Sequence, residues 1–381
     1  MDFSLTEDQK MLKAMLRDFA TKELEPVAAK IDETSEFPAE QVKKVADLGL
    51  MGLTIPEEYG GEGKGMVDFC IAVEELARAS ASVASYFRIS LSLAIPPIAM
   101  YGNDEQKRRF LVPHAKGEKL ACFALTEAGA GSDPAALETT ATKKGDGYVI
   151  NGTKLFISIG AEAEIVVVFA TTDKSLRHKG IIALIVEKGT PGFSVGKLEN
   201  KMGFHGLSAA ELIFEDCLVP EENRLGEEGQ GFRIALEALD ESRVTVGAEA
   251  VGISQAALDA AVSYAMERQQ YGQRIANFQA IQWILADMAT QIEAARLLTH
   301  WSAYLHDQGL PYVKESAMAK LFASEISSFV TNKAIQIHGG YGYIKDYPLE
   351  RFLRDAKLTE IYEGTSEMMR MTIARALVGK G

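Results

Sequence analysis

The order of hydrophobic periodicities along the chain constrains its fold most strongly. Apolar residues recur at three- and four-residue spacing over residues 6–116, a pattern typical of amphipathic helices. Between about residues 120 and 223 this gives way to short β-rich runs separated by Gly, Asp and Lys turns. Long helical periodicity returns after residue 231 in Ala-rich stretches at 248–266, 281–305 and 317–335. The sequence therefore predicts helices, then a sheet, then a helical bundle.

These patterns predict an α+β protein of three domains. We expect an N-terminal α-helical domain over 1–119, a middle β domain over 120–228 and a C-terminal four-helix-bundle domain over 229–381. With 381 residues and 47% hydrophobic side chains, the chain can bury several cores. No Gly/Ser-rich linker separates the domains, so we expect tight packing and a ligand at their junction, where clefts tend to form.

Composition excludes some classes of function. The net charge of −13 argues against nucleic-acid binding, which needs clustered positive charge. The three cysteines do not have the spacing of metal ligands, so we expect no metal site. Their odd number argues against a disulfide framework and so indicates a reducing compartment. No apolar run reaches about 18 residues, and the N-terminus lacks the form of a signal peptide. We therefore expect no membrane insertion and a cytoplasmic location, or the mitochondrial matrix if the chain is a processed form.

A carboxylate near the C-terminus is the candidate base. Glu363 precedes Gly364, Thr365 and Ser366, so the chain can turn at the glycine while a hydroxyl caps the next helix. Such a corner would hold the Glu363 side chain in place. On its own, a Glu before a helix is more often a solvated residue.

Other motifs give this corner a context. Together they resemble the acyl-CoA dehydrogenase family of flavoproteins over nearly the whole chain. The segments that carry the resemblance are Pro56-Glu57-Glu58-Tyr59-Gly60-Gly61, the loop 122–133, Asn151-Gly152-Thr153-Lys154, the run 267–272, Gln336-Ile337-His338-Gly339-Gly340 and Tyr362-Glu363-Gly364-Thr365.

The resemblance implies FAD as cofactor. No Gly-x-Gly-x-x-Gly follows a predicted strand, so a Rossmann-type site is not indicated. Phe156 and Ser158 stand where the family usually has Trp and Thr. Phe156 can still stack on a ring, and Ser158 keeps a hydroxyl for flavin N5. The FAD contacts that the resemblance implies here are Phe123, Leu125, Thr126, Gly131, Ser132, Phe156, Ile157 and Ser158.

A second set of implied FAD contacts belongs to a neighbouring subunit. Arg268 would supply positive charge to the pyrophosphate, and the two glycines would let backbone approach the nucleotide. The resemblance thereby implies a homotetramer, with electron-transferring flavoprotein as the electron acceptor. The residues of this set are Arg268, Gln279, Gln336, Gly339 and Gly340, and the cofactor contacts expected around the C-terminal corner are Thr365 and Glu367.

The implied reaction is α,β-dehydrogenation of an acyl-CoA thioester. Glu363 would take the α-proton, flavin N5 would take the β-hydride, and the Glu363 N–H would polarise the thioester oxygen. Ser242 stands at the position where some relatives carry the base, and it cannot serve. The expected substrate contacts are Ser132, Asp240, Arg243 and Gly364. Two alternatives stay open for Glu249, which could face the acyl cavity or pair with a basic residue at a helix contact.

The stretch 86–92 is expected to form the floor of the acyl pocket. Its bulk predicts a short or medium, or compact branched or cyclic, acyl group. Arg88 could bind a terminal carboxylate of the acyl group, but we expect it to point outward into solvent. Pro96-Pro97 predicts an extended path into the next helix.

Two alternative functions remain at this stage. The same fold could run as an enoyl-CoA reductase in a flavoprotein complex, because Glu363 and FAD would serve either direction. A catalytically silent binding protein is the third reading, and the intact 126–132 loop and Glu363-Gly364-Thr365 corner argue against it.

Overall fold

The computed structural model describes residues 4–379, so the outermost residues of the two predicted helical domains, 1–3 and 380–381, lie outside it. The prediction that the N-terminus lacks a signal peptide therefore falls partly on residues outside the structure. Seven helices form the N-terminal layer: α1 Glu7–Phe19, α2 Glu25–Thr34, α3 Ala39–Asp47, α4 Met66–Ala79, α5 Ala81–Ile89, α6 Ile95–Tyr101 and α7 Asp104–Ala115.

Local sequence explains where the first helix begins. The Thr6 hydroxyl accepts a hydrogen bond from the Gln9 N–H at 3.2 Å, and the Gln9 side chain accepts one from the Thr6 N–H at 3.1 Å. This reciprocal capping box satisfies two of the donors that a helix start leaves free. The buried face of α1, which includes Leu16, packs against α4.

The middle of the chain forms one eight-stranded sheet. Its order is β6-β7-β3-β2-β4-β5-β8, with β1 added in parallel to β4. Every residue of β4 is buried, as expected for a strand covered on both faces. The strands are β1 Ala121–Ala124, β2 Thr140–Lys144, β3 Gly147–Ser158, β4 Ile165–Thr171, β5 Ile181–Glu187, β6 Phe193–Leu198, β7 Ala209–Pro220 and β8 Arg224–Leu225.

The C-terminal part is a bundle built on one long helix. The small residues of α8 allow close approach: a Cβ on Gly252 would lie 2.4 Å from the Glu74 carbonyl oxygen of α4. A two-stranded hairpin, β9 Gln269–Gln270 and β10 Gln273–Arg274, precedes α9. The helices are α8 Gly231–Glu267, α9 Gln279–Asp307, α10 Val313–His338, α11 Leu349–Thr359 and α12 Ser366–Val378. The predicted fold class is confirmed.

The prediction of an extended path at Pro96-Pro97 is wrong. Both prolines lie in the first turn of α6, where a missing N–H costs little. A π-helical turn, Ser90–Ala94, joins α5 to α6. This wider turn lets the helix continue through the prolines, and such turns are often found at functional sites.

The segment Ala81–Tyr101 is long and apolar enough to cross a membrane by length and composition. However, 89% of its most hydrophobic window is buried inside the protein, which is typical of a core helix. The three cysteines, Cys70, Cys122 and Cys217, are free and buried.

Candidate functional site

The Glu363 corner connects α11 to α12. The Thr365 hydroxyl accepts a hydrogen bond from the Met368 N–H at 3.4 Å and caps α12, as predicted. Glu363 has φ +55° and Gly364 has φ +103°. A left-handed conformation at a non-glycine residue costs about 1–3 kcal/mol and persists only where its surroundings impose it. The corner is therefore a strained, tightly held turn.

Two groups hold the Glu363 carboxylate. Arg88 Nη1 donates to Oε1 at 2.9 Å, and the Ser242 hydroxyl donates to Oε2. Ser242 also contacts Ser92 of the π turn, with 2.9 Å between their hydroxyl oxygens. Only 6% of the Glu363 side chain is exposed. The carboxylate is thus fixed in one orientation and largely shielded from water.

The prediction that Arg88 points outward is wrong. Its side chain is completely buried, and its Nε lies 3.1 Å from Glu249 Oε2. The guanidinium carbon lies 5.0 Å from the centre of the Tyr362 ring. Burial alone would lower the pKa of Arg88, but the charges of Glu249 and Glu363 raise it above its ordinary value. The apolar surroundings of α5 leave no route to solvent, so the guanidinium pairs inside the protein.

Glu249 pairs with a basic residue at a helix contact, one of its two predicted alternatives. Besides Arg88, its carboxylate accepts a hydrogen bond from Ser85 at 2.5 Å and one from the Tyr362 hydroxyl. Burial raises the pKa of Tyr362 well above its ordinary value, so the phenol stays protonated and donates. A buried network therefore links α5, α8 and the corner.

Three charged side chains support the backbone of the corner. Arg243 Nε donates to the Glu363 carbonyl at 3.3 Å and Arg243 also pairs with Asp240. Lys320 of α10 donates to the Gly364 carbonyl at 2.6 Å. Burial lowers the pKa of Lys320 to about 8 and raises that of Asp240 to about 6, despite its arginine partner. The substrate-side candidates Asp240, Arg243 and Gly364 thus lie beside Glu363.

The Glu363 N–H is a free donor. Among the backbone groups of residues 4–379, no carbonyl accepts a hydrogen bond from it. A free N–H beside a buried carboxylate can polarise a carbonyl oxygen that binds there.

The glycine-rich loop, residues 126–133, is attached to the sheet by a buried ion pair. Lys154 Nζ lies 2.7 Å from Glu127 Oε1 and donates to the Leu125 carbonyl at 3.1 Å. Burial lowers the pKa of Lys154 to about 8. The Glu127 carboxylate also accepts the N–H groups of Glu138 at 2.6 Å and Thr139 at 3.0 Å. These contacts fix the start of the loop and tie it to the residues just before β2.

A β-bulge presents Phe156 at the surface. The register of β3 against β7 shifts between Lys154 and Ile157, and Phe156 has φ +58° with 61% of its surface exposed. The Leu155 N–H donates to the Thr126 carbonyl at 2.9 Å, so the bulge and the loop are joined. An exposed aromatic face beside an open glycine loop fits a flat ring such as a flavin.

The other residues predicted around this site have varied exposure. Leu125, just after β1, and Ile157 of β3 are buried, Phe123 and Ser158 are half-buried, and Gly131 and Ser132 lie on the exposed loop.

A separate groove of about 400 Å³ lies where α8 ends and α10 ends. Arg268, Gly339 and Gly340 line it, and the Arg268 guanidinium lies 5.6 Å from the Tyr341 ring centre. Nothing within 4 Å would meet a Cβ on either glycine. The open glycines leave room for a ligand to approach the backbone, and the arginine supplies positive charge for an anionic nucleotide.

The remaining predicted contacts are scattered. Gln336 accepts the Gly339 N–H through its carbonyl, whereas Gln279 begins α9 with an exposed side chain. Glu367 lies in the first turn of α12, and a hydrogen bond from Thr365 lowers its pKa. Within residues 4–379, no hydrogen bond or ion pair links the Arg268 groove to the Glu363 corner.

Residues 4–379 include three functional candidates near Glu363 to which the sequence analysis assigns no role. They are Ser85, Lys320 and the hydroxyl of Tyr362. A signal was present for the ion pair: Arg88 and Glu249 each stand alone as a charge in an apolar helical stretch, where an unpaired charge would be costly.

Comparison with known proteins matches three family models along the chain: "Acyl-CoA dehydrogenase, N-terminal domain" at residues 6–118, "middle domain" at 122–217 and "C-terminal domain" at 229–378. The chain is 56% identical to acryloyl-CoA reductase (NADH) of Anaerotignum propionicum, covering 99% of this chain and 96% of that protein. It is 48% identical to the short-chain specific acyl-CoA dehydrogenase of Clostridium acetobutylicum, covering 98% and 99%.

A solved structure from work on the electron transferring flavoprotein of Acidaminococcus fermentans and flavin-based electron bifurcation is also similar. It has a TM-score of 0.98 at 50% identity, and the match covers 100% of both chains.

Proposed function

The chain belongs to the acyl-CoA dehydrogenase family, an FAD-dependent oxidoreductase class. From that premise we propose that it oxidises a short or compact acyl-CoA thioester to the enoyl-CoA, and that Glu363 is the base that removes the α-proton. The observation that carries this role is the geometry of its carboxylate. It is oriented by Arg88 and Ser242, nearly excluded from water, and placed beside a free backbone donor. A positioned carboxylate in a dry site is an effective acceptor for a weakly acidic α-proton.

Different groups of the corner would bind the thioester oxygen, hold the backbone and remove the proton. The Glu363 N–H would polarise the thioester oxygen and so increase the acidity of the Cα–H. Arg243 and Lys320 hold the two carbonyls of the corner, which keeps that N–H and the carboxylate in fixed relation. FAD, when bound, supplies the acceptor for the hydride that leaves Cβ.

We assign FAD binding to two surfaces of this chain. The loop 126–133 with Phe156 and Ser158 would hold the flavin end, and Thr365 and Glu367 would contribute from the corner. The Arg268 groove would meet the nucleotide of a neighbouring subunit within a homotetramer. Support comes from the exposed Phe156 face and from the open glycines of the groove.

The acyl group is proposed to be compact, of about four to eight carbons. Residues 86–92 are all buried, and Arg88 among them contacts the Glu363 carboxylate. Extra methylenes in such packed surroundings displace side chains at a cost of roughly 1–3 kcal/mol. Similarity to a short-chain specific dehydrogenase supports the same size class.

A second candidate is an enoyl-CoA reductase that works with an electron-transferring flavoprotein. The 56% identity to an acryloyl-CoA reductase and the similarity to the Acidaminococcus fermentans structure favour it. Glu363 would then donate the proton to Cα. We place either enzyme in the cytoplasm, consistent with three free buried cysteines.

The deciding experiment compares the two directions with purified enzyme. The kcat/KM for oxidation of butyryl-CoA by an artificial electron acceptor is compared with the kcat/KM for reduction of crotonyl-CoA and acryloyl-CoA by a reduced donor flavoprotein. A kcat/KM at least tenfold higher for oxidation supports the dehydrogenase, and the reverse ratio supports the reductase. Failure of both reactions in the yellow, FAD-containing protein would contradict both candidates.

A further inference from the structure

The charges beneath the Glu363 carboxylate are arranged in series. Glu363 contacts Arg88 at 2.9 Å, and Arg88 in turn contacts Glu249 at 3.1 Å on its other side. The side chains of Arg88 and Glu249 are both 0% exposed. Because no water screens this line of charges, each one acts strongly on its neighbours.

We propose that Arg88 and Glu249 form a buried ion pair that positions the Glu363 carboxylate and sets the pH range in which it acts as a base. This inference rests on the proposed role of Glu363. Arg88 favours the ionised form of Glu363 through its charge, and it fixes Oε1 through its Nη1–H. Glu249 limits that effect, because it shares the guanidinium and contributes a negative charge.

The arrangement solves a problem of base strength. An arginine paired with Glu363 alone would hold the carboxylate ionised but would also weaken it as a proton acceptor. No arginine at all would leave two buried carboxylates facing each other, and one of them would take up a proton before substrate arrived. In this protein one guanidinium is shared between two carboxylates, so its charge acts on Glu363 together with the opposing charge of Glu249.

The remaining network holds the pair in this arrangement. Ser85 and Tyr362 donate hydrogen bonds to Glu249 and so hold its carboxylate against Arg88. Ser242 donates to the other oxygen of Glu363. Arg88 therefore acts through Glu363 and is a positioning residue.

Other ionisable groups face Glu363 from the surrounding elements. Arg243 of α8 contacts its carbonyl, Lys320 of α10 responds to its charge, and Tyr362 precedes it in the chain. Asp240, Glu360 and Glu367 act on these in turn. None of them changes in the variants below, so they affect every profile alike.

The test is the pH dependence of kcat/KM for flavin reduction in holoenzyme variants, which reports ionisation in the free enzyme. Arg88→Met removes a positive charge. The acid limb of the profile, the low-pH side on which kcat/KM falls, should therefore move to higher pH by about one to three units. Glu249→Gln removes a negative charge, so the limb should move to lower pH. In the double variant Arg88→Met/Glu249→Gln the two shifts should largely cancel.

Three further variants complete the set. Arg88→Lys keeps the charge but loses the fork, so it should retain the pH limb of the unchanged enzyme with a lower kcat. The matched control is Arg296→Met, which breaks a buried pair with Glu74 away from the corner and should leave the limb in place. Glu363→Gln tests the premise, because it should abolish reduction at all pH values.

The outcomes separate the two claims. Rapid flavin reduction by Glu363→Gln would refute the proposed base. Loss of activity in Glu363→Gln with shifts of the same sign, or no shift, in the two single variants would overturn the ion-pair inference alone. If Arg88→Met does not fold, the sign of the Glu249→Gln shift decides: a move to lower pH supports the inference, and any other result overturns it.

Discussion

Replacement of Glu127 by Ala should free the glycine-rich loop. The change leaves Lys154 buried without its partner and removes the acceptor of two backbone N–H groups, those of Glu138 and Thr139. Breaking one partner out of a buried ion pair costs about 3–5 kcal/mol. Each N–H left without an acceptor adds about 1–3 kcal/mol unless water reaches it. The freed loop lets water reach these two N–H groups, so we take the about 3–5 kcal/mol of the broken ion pair as the local destabilisation of the loop.

The assay is hydrogen exchange of the peptides that span residues 126–139. At 1.4 kcal/mol per factor of ten, the loss corresponds to a fall in protection of roughly a hundred- to several-thousandfold. FAD should dissociate more easily, because the loop is one wall of the proposed site. The matched control is Glu221→Ala, which breaks an exposed pair with Lys143 in the same sheet and should cost less than about 1 kcal/mol.

The effect should depend on pH. Burial lowers the pKa of Lys154 to about 8 from an ordinary value of 10.5. The open loop therefore binds more protons than the closed loop between these values, and closure becomes more favourable as pH rises through that window. Glu127→Ala should accordingly be most damaging below about pH 8. Less than a tenfold loss of protection at pH 7 would refute the buried-pair reasoning.

Three other changes probe the cofactor site, the corner and the pocket. Arg268→Ala should raise the fraction of FAD lost on gel filtration and on dilution to monomer, and a monomer that retains stoichiometric FAD would contradict the cross-subunit assignment. Gly364→Ala, at φ +103° with its new Cβ 2.6 Å from Met369 Cε, should lower the free energy of unfolding by about 1–3 kcal/mol and slow flavin reduction; an unchanged variant would show that position 364 does not require glycine. On a panel of acyl-CoAs, chains of four to eight carbons should exceed palmitoyl-CoA in kcat/KM by roughly ten- to hundredfold, and the opposite order would refute the compact pocket.

The fold could be predicted from the sequence because its signals are local and repeated. Hydrophobic periodicity predicts the helices of the two outer parts and the strands of the sheet, and Thr365 is the one of the two candidate hydroxyls, Thr365 and Ser366, that caps α12. The extended path predicted at Pro96-Pro97 is wrong, although the prediction follows from the usual effect of proline, which ends a helix. The π turn Ser90–Ala94 that accommodates them depends on tertiary packing, and no local pattern predicts it.

The candidate site was predictable only in part. Glu363 and its neighbours were found because their motifs are contiguous. The solvent-exposed position predicted for Arg88 is wrong, because the two carboxylates that pair with it are far away in the sequence. Glu249 lies 161 residues and Glu363 lies 275 residues further along the chain. A buried charge can be recognised from sequence only if its distant partner is recognised as well. The role of the Arg268 groove is hard to predict from one chain for a similar reason, because its proposed ligand is the nucleotide bound to another subunit.

The most direct test of the account is single-turnover reduction of the bound flavin in Glu363→Gln. Glutamine keeps the size of the side chain, so FAD content and butyryl-CoA binding should stay close to those of the unchanged enzyme. Stopped-flow absorbance should then show a reduction rate lower by several orders of magnitude, because the base is gone. A rate within tenfold of the unchanged enzyme would contradict the assignment of Glu363 as the base.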